Sequence, residues 1–316
     1  MENTQIIKVN RKGIDCIKGI SIIMIVLYHV FPSTFSGGFL GVPMFFVLSG
    51  YLMYISGINR VEKDRFNPIN YYIGRIRRIY PPLYVMVITV CCYLTLTKSR
   101  LLTGMWKELT CIFSGCYNWW QISENSSYFS SMSEASPFMH LWFIAVEIQL
   151  CIIWPVLFFL YRRICITLNN RTAILVFLIP ALLSAVRMSI LYVPGSDPSR
   201  VYYGTDTMAF PLLIGLTLGA IRKQYGKPDI RISGTGRITI VSASIIMAVC
   251  ALCLTVNGSQ DFLYRGGIFI FSILCAAIII TVECFEFKTT RHNILSFLGK
   301  NSYSIYLWHY PLIILF

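Results

Sequence analysis

Two ionisable residues lie eleven positions apart in the apolar stretch KGISIIMIVLYH, a lysine at its start and a histidine at its end. In a helix this separation covers about 16 Å and close to three turns, so Lys18 and His29 share one face. Asp15 lies one turn before Lys18. If Lys18 is at the lipid headgroups, His29 lies beyond the middle of the bilayer. An imidazole in a partly dry cavity can act as a general base near neutral pH, although a packed histidine bonded to a carbonyl would give the same pattern.

A carboxylate lies within the apolar stretch MHLWFIAVEIQLCIIWP. At that depth Glu147 needs a partner or a water-filled cavity. Arg187, in ALLSAVRMSILYV, is one candidate partner, and the alternative is that Arg187 extends to the membrane surface. We expect Glu147 to face the same cavity as His29, where it would hold the imidazole tautomer.

Three arginines lie in FNPINYYIGRIRRIYPP, ahead of the third apolar segment. Arg75 and Arg78 are three residues apart and share a face if this segment is helical. Because arginine binds phosphate oxygens in a bidentate manner, the two residues predict a phosphate site at the cytoplasmic surface. We expect Pro81 and Pro82 to begin the next helix. Positive charge that only orients the chain in the membrane would give the same residues.

Polar and aromatic residues mark two further places along the chain. In SDPSRVYYGTDTM, Tyr202 and Tyr203 suit stacking against a sugar ring, or alternatively an aromatic belt at the membrane surface. Asp206 is expected to cap the following helix. Trp308 and His309 lie within the last apolar segment.

Membrane helices are the elements that must position these residues. The 316-residue chain is 56% hydrophobic and 13% charged, with a mean hydropathy of +0.64, whereas soluble domains carry about 25% charged residues. Apolar stretches of about 20 residues recur along it, which is typical of an all-α polytopic membrane bundle without a β-domain. Segment 101–120 is predicted to lie along the membrane interface. The predicted spans are 19–34, 38–57, 79–97, 138–160, 172–193, 207–221, 238–256, 268–284 and 302–316.

The net charge of +13 indicates membrane orientation rather than nucleic-acid binding. With a cytoplasmic N-terminus, the inner loops hold 21 of the 27 Lys and Arg residues, as expected from the excess of positive charge in cytoplasmic loops. The 11 cysteines show no metal-ligand spacing, so we expect no metal site and no disulfide. The first apolar segment lacks a small-residue cleavage site and is predicted to be a helix rather than a removed signal peptide.

The chain is predicted to be a single integral-membrane domain over residues 1–316. Its last segment, SYSIYLWHYPLIILF, has 15 residues, whereas a full span needs about 20. We therefore expect the chain to be truncated within its last helix, or to be a partial gene product.

Six motifs, in order over nearly the whole chain, resemble the membrane-bound acyltransferase family 3. These integral-membrane O-acyltransferases modify bacterial surface glycans and usually have ten helices. In the first motif the family shows a basic residue, ten residues and then His, which Lys18 and His29 match. The motifs are RKGIDCIKGISIIMIVLYH, GGFLGVPMFFVLSGYL, RIRRIYPP, HLWFIAVEIQ, YGTDT and LGKNSYSIYLWHYP.

The resemblance implies a bacterial multi-pass enzyme of the cytoplasmic (inner) membrane. It would move an acyl group, most commonly acetyl, from cytoplasmic acyl-CoA to a hydroxyl of a cell-surface or exported carbohydrate. His29 would remove the hydroxyl proton, and Glu147, Lys18 and Asp15 would complete the catalytic set.

The resemblance also implies where the two substrates bind. Arg75 and Arg78 would bind the phosphates of acetyl-CoA, which is a donor substrate, so no permanently bound cofactor is implied. The carbohydrate, a polysaccharide or a lipid-linked glycan, would contact Tyr202, Tyr203, Asp206, Trp308 and His309.

Two other classes of protein fit the same residues. A transporter or exporter of a glycan or small solute could use His29 and Glu147 as a proton relay. The predicted phosphate site favours the acyltransferase, and no inverted repeat is visible in the sequence. An inactive truncated homologue is the third option. The sequence leaves open the acceptor sugar, the acyl length, an acyl-enzyme intermediate and a homo-oligomer.

Overall fold

A computed structural model of the chain describes residues 6–63, 66–97, 105–129, 136–228, 234–285 and 293–316. Within these ranges the protein is helical and has no β-strand, so the predicted all-α fold is confirmed. The predictions for 101–104, and for the loop residues in the other gaps, lie outside the described residues.

Fourteen α-helices are described. Short 3₁₀ turns at Gly38–Leu40 and Met139–Leu141 lead into α2 and α6, and a π-helical turn at Leu263–Gly267 leads into α12. The helices are α1 Arg11–Val30, α2 Gly41–Val61, α3 Pro68–Thr97, α4 Met105–Ser114, α5 Tyr117–Ser123, α6 Trp142–Thr167, α7 Asn170–Leu191, α8 Ser199–Tyr203, α9 Thr205–Met208, α10 Phe210–Tyr225, α11 Thr235–Thr255, α12 Ile268–Glu283, α13 Ile294–Lys300 and α14 Ser302–Leu315.

Seven helical segments in the described ranges are long and apolar enough to cross a membrane. They contain α1, α2, α3, α6, α7, α11 and α12. The two remaining predicted spans coincide with α10 and α14, which have 16 and 14 residues. In the region of the predicted interface segment, α4 and α5 form a short hairpin that turns at Gly115, whose φ is +74°. The chain is therefore a multi-pass membrane protein.

Helix α3 begins earlier than predicted. The sequence placed its start at the proline pair, but the helix starts at Pro68 and runs through Pro81 and Pro82. The Asn67 side chain accepts hydrogen bonds from the backbone N–H groups of Ile69 (2.8 Å) and Asn70 (3.3 Å), and proline is favoured at the first helical position. This stronger start signal makes the arginine motif part of the helix.

Glycines bring α1 into close contact with α13. A Cβ atom on Gly19 would lie 2.1 Å from the Leu295 carbonyl oxygen, and one on Gly299 would lie 1.7 Å from the Asp15 carbonyl oxygen. Small residues allow such approach between membrane helices. The two contacts pair α1 and α13 in antiparallel directions, and α14 then turns back alongside α1. Hereafter the proximal end of the bundle is where α1 begins, and the distal end is where α1 terminates.

Candidate active site

His29 lies in the last turn of α1, near the distal end, and its side chain is buried with 3% exposed. Aromatic rings surround it, with centroids 4.8 Å away for Tyr310 and 5.3 Å away for His309. The Nε2 atom lies 3.4 Å from the Tyr128 hydroxyl. The Nδ1 atom has no hydrogen-bond partner among the described residues.

Two more buried histidines extend this site into a row, here called the histidine cluster (His29, His309 and His140). The ring centroids of His309 and His140 are 5.4 Å apart. His309 Nδ1 lies 2.6 Å from the Tyr306 carbonyl oxygen, and His140 Nε2 lies 3.2 Å from the Leu307 carbonyl oxygen. The other ring nitrogen of each has no partner in the described part of the chain. Within the same ranges, no group of three or more His, Cys, Asp or Glu side chains could hold a metal ion.

Sequence reasoning missed two members of this site. His140 was placed one turn outside the bilayer core, yet it is buried beside His309; its position at the start of the HLWF motif was the available signal. Tyr128 lies in the polar loop SENSSYFSS, whose pattern predicts no site. A hydrogen bond from its backbone N–H to the Ser199 hydroxyl (2.7 Å) fixes it over His29, and only tertiary structure could reveal that contact.

The predicted catalytic residues Lys18 and Asp15 lie at the proximal end of α1, away from His29. The Lys18 ammonium is 3.4 Å from the Asp15 carboxylate, and both side chains are half-buried. Arg78, on α3, is close enough for its positive charge to interact electrostatically with Lys18. The structure therefore groups these residues with the arginine motif, about 16 Å along the helix from His29.

Glu147 lies between the arginine motif and the histidine cluster. It is half-buried on α6, and it accepts a hydrogen bond from the Ser49 hydroxyl at 3.2 Å. Glu147 is close enough for its negative charge to interact electrostatically with both Arg75 and Tyr306. The Tyr306 ring centroid is 5.5 Å from that of His309. Tyr306 thus lies between Glu147 and the cluster. Within the described residues, Glu147 has no direct contact with His29.

Arg75 and Arg78 occupy different environments. Arg75 is half-buried, with its guanidinium 5.3 Å from the centroid of the Tyr71 ring, whereas Arg78 is exposed. Arg75 is the cation in the wall of a 420 Å³ cavity between α3 and α6. The rest of that wall is mostly apolar: Tyr72, Ile76, Ile79, Tyr80, Tyr84, Ile148, Cys151 and Ile152. This cavity is called the Arg75 cavity below.

Tyr202 and Tyr203 are fully buried, which corrects both sequence interpretations of these residues. The Tyr202 hydroxyl donates to the Phe39 carbonyl oxygen at 2.9 Å, and the Tyr202 ring centroid is 5.1 Å from that of Tyr128. The Tyr203 ring packs 5.4 Å from Trp142. In this structure neither ring offers a face to a sugar or to the membrane surface, because both pack behind Tyr128.

Asp206 forms ion pairs instead of capping a helix. Its carboxylate accepts from Arg187 Nε at 2.5 Å and from both terminal nitrogens of Arg200 at 3.1 and 3.0 Å. Arg187 was a predicted partner of Glu147, and this pairing corrects that prediction. Burial alone would raise the pKa of Asp206, but the bonds from Arg200 and Arg187 outweigh it and leave the pKa below its ordinary value. The predicted cap fails because the arginines occupy both carboxylate oxygens.

Next to Asp206, a second set of side chains forms a closed hydrogen-bond network. The Gln149 amide donates to the Gly115 carbonyl (2.7 Å) and to the Asn118 side-chain oxygen (2.8 Å). Its oxygen accepts from the Thr205 hydroxyl (2.5 Å) and from the Trp119 indole (3.2 Å). This arrangement, called the Gln149 network below, joins α5, α6 and α9.

A polar cavity of 450 Å³ opens at the distal end, close to His29. Its lining includes Tyr28, Asp197 and Asn257 from three separate segments. The Tyr28 ring centroid is 5.1 Å from that of His29 and 5.7 Å from that of Tyr128. Tyr28 therefore separates this distal cavity from the histidine cluster. Trp308, another predicted substrate contact, is half-buried against the core.

The comparison with known families agrees with the sequence motifs. Residues 11–316 match the model of a family described as an acyltransferase domain. The chain belongs to this family, and the resemblance deduced from the six motifs is confirmed.

Particular relatives are O-acetyltransferases of bacteria. The chain is 37% identical over 315 residues to the peptidoglycan O-acetyltransferase OatA of Listeria monocytogenes, covering 96% of this chain and 49% of that protein. It is 36% identical over 318 residues to the putative peptidoglycan O-acetyltransferase YrhL of Bacillus subtilis, covering 96% and 48%. It is 32% identical over 310 residues to the O-acetyltransferase OatA of Staphylococcus aureus, covering 96% and 50%. The chain spans about half the length of these curated relatives, and no solved structure matches it.

Proposed function

We propose that this chain moves an acetyl group across the bacterial cytoplasmic membrane to a hydroxyl of cell-wall carbohydrate. The observation that carries the proposal is the buried histidine cluster, which lies between the Arg75 cavity and the polar distal cavity. Family membership supports acyl transfer, and the names of two relatives support peptidoglycan as the acceptor class.

The donor in this proposal is cytoplasmic acetyl-CoA. The excess of Lys and Arg in the loops at the proximal end supports a cytoplasmic position for that end. Arg75 would bind a phosphate of CoA, assisted by the exposed Arg78, and the apolar wall of the Arg75 cavity would hold the pantetheine arm. From there the thioester would pass Glu147 and Tyr306 to reach the histidines.

The acceptor would enter through the distal cavity, where Tyr28 would move aside to open a route to His29. In the transfer step, His29 removes the hydroxyl proton while the oxygen attacks the thioester carbonyl carbon. A C–O bond forms, the C–S bond breaks, and the CoA thiolate leaves and takes up a proton. His29 suits this role because one of its nitrogens has no partner among the described residues and burial excludes competing water.

The test uses purified chain in proteoliposomes with [¹⁴C-acetyl]-CoA on one side and peptidoglycan fragments on the other. We expect alkali-labile label in the glycan, and none when the fragments are omitted or when the donor and acceptor are supplied on exchanged sides of a uniformly oriented preparation. Label that crosses the bilayer without bonding to glycan would support the transporter instead. The absence of both bonded and transported label would contradict the proposed function.

A further inference from the structure

The hydrogen bonding of His309 indicates which tautomer its neutral ring adopts. A carbonyl oxygen only accepts hydrogen bonds, so the 2.6 Å contact with the Tyr306 carbonyl requires the proton of neutral His309 to be on Nδ1. Nε2 then carries a lone pair. This nitrogen is buried and has no partner among the described residues, whereas buried polar atoms in proteins are normally bonded.

The ring of His309 lies next to that of His29. The two ring centroids are 5.3 Å apart, and the planes are tilted by 41°. His29 also has an unbonded ring nitrogen, Nδ1, because its Nε2 faces Tyr128. One imidazole with an open lone pair therefore adjoins another that can carry a proton on its open nitrogen.

Resting on the proposed function, we infer that His309 is the second proton-carrying residue of the acyl-transfer site. The acceptor O–H bond breaks and its proton passes to His29 as the new C–O bond forms. The imidazolium of His29 then gives a proton to His309 Nε2. When the C–S bond breaks, His309 passes this proton to the CoA thiolate, which leaves as the thiol. Protons and electron pairs balance, and both histidines end neutral.

The position of His309 would give the leaving sulfur a proton donor of its own. The attacking oxygen and the leaving sulfur are bonded to the same carbon in the tetrahedral intermediate, and with substrates entering from opposite ends, as in the proposed function, His29 would face the oxygen and His309 the sulfur. His309 adjoins both His29 and Tyr306, and Tyr306 lies on the side of Glu147 and the Arg75 cavity. It is therefore placed to complete the transfer toward the thiolate.

His309→Asn separates a proton-carrying role from a structural one. The Asn amide nitrogen takes the position of Nδ1 and can still donate to the Tyr306 carbonyl, but the variant has no Nε2. We expect kcat for acetyl transfer to fall by about 10²–10⁴-fold, with the KM for acetyl-CoA within twofold and the melting temperature unchanged. The matched control is Tyr54→Phe, which removes a buried hydroxyl that is hydrogen-bonded to Tyr161 (2.9 Å) and lies outside the candidate site. We expect it to keep at least a third of the wild-type kcat.

Three results would overturn the inference. If His309→Asn keeps more than about a tenth of the wild-type kcat, the free nitrogen is not used. If the variant loses acetyl-CoA binding or thermal stability along with activity, His309 is a packing residue. If Tyr54→Phe is impaired as strongly as His309→Asn, the loss of kcat comes from disturbing the buried part of the bundle and not from removing Nε2. Wild-type protein that transfers no acetyl group in the same assay would instead show that the proposed function is wrong, and the inference would fall with it.

Discussion

The histidine cluster and the Gln149 network, with the adjoining Asp206 ion pairs, are both polar groups inside a membrane protein, but they use their polar atoms differently. Each histidine of the cluster leaves one ring nitrogen without a partner in the described structure. In contrast, protein groups occupy both the amide nitrogen and the oxygen of Gln149. Protein groups also occupy both carboxylate oxygens of Asp206. A saturated network stabilises the arrangement of helices, whereas unpartnered atoms are available to a substrate. The difference predicts that substitutions in the two regions will change different quantities.

The largest expected effect is on His29. His29→Ala should lower acyl transfer by about 10²–10⁴-fold because it removes the base from the site. The purified variant should still fold and insert, since within the described residues His29 makes one long hydrogen bond, and the cavity left by the buried ring should lower its melting temperature. The measurement is initial rate at matched protein concentration. A residual rate above about a tenth of wild type would place His29 among the packing residues.

The second-largest effect is expected at Arg75, the half-buried cation at the proximal end. Substituting it tests whether this residue binds acetyl-CoA. Arg75→Lys should raise the KM for acetyl-CoA by about tenfold, because a point charge replaces a planar bidentate donor. Arg78→Lys should have a smaller effect because Arg78 is exposed. Arg77→Lys, also exposed on the same helix, is the matched control and should be silent. Equal KM values for all three variants would make the arginines orientation signals only.

Asp206 tests the saturated side of the comparison. Asp206→Asn should lower the stability by about 1 kcal/mol, a small value because Arg187 and Arg200 are partly exposed, and should leave kcat and KM within twofold. The depressed pKa of Asp206 implies that the pairing contributes fully at neutral pH. Its contribution is lost only as the pH falls below the ordinary aspartate value of about 3.9 and through the lower folded-state pKa. Thermal melting at pH 7 and pH 3 measures both effects. A raised KM for the glycan would instead support the predicted substrate contact.

Of the substitutions around the histidine cluster, Tyr128→Phe is expected to have the smallest effect. The hydroxyl lies 3.4 Å from His29 Nε2, which is a long and weak hydrogen bond, while the ring supplies most of the packing. We expect kcat to fall about three- to tenfold, the range of one neutral hydrogen bond. The initial-rate assay detects this change. A loss as large as that of His29→Ala would mean that the hydroxyl itself takes part in the reaction.

The sequence predicted those features that depend on local pattern. Apolar stretches of about 20 residues located the membrane helices, and the lysine-to-histidine spacing singled out His29. The partners of these residues depend on tertiary contacts that no spacing specifies. Arg187 was assigned to Glu147 because both lie in apolar stretches, whereas the fold brings Asp206 to Arg187. His140 and His309 are 169 positions apart, and only the contact between the Met139–Leu141 turn and α14 makes them neighbours. The sequence around Tyr202 and Tyr203 is typical of an exposed loop. Both residues are nevertheless buried, because this segment folds back under Tyr128.

The glycine contacts between α1 and α13 have a mechanical consequence for the histidines. Gly19 lies ten residues before His29 on the same helix, a distance of about 15 Å along a nearly rigid rod. A shift of α1 along its axis at the Gly19–Leu295 contact would therefore move the His29 imidazole by the same distance. An added methyl group at Gly19 would meet the Leu295 carbonyl, which is backbone and cannot turn aside. A misplacement of about 1 Å can cost a reaction about 10²-fold. The close contact at Gly19 therefore sets the distance between the His29 and His309 rings, although it lies about 15 Å along the helix from His29.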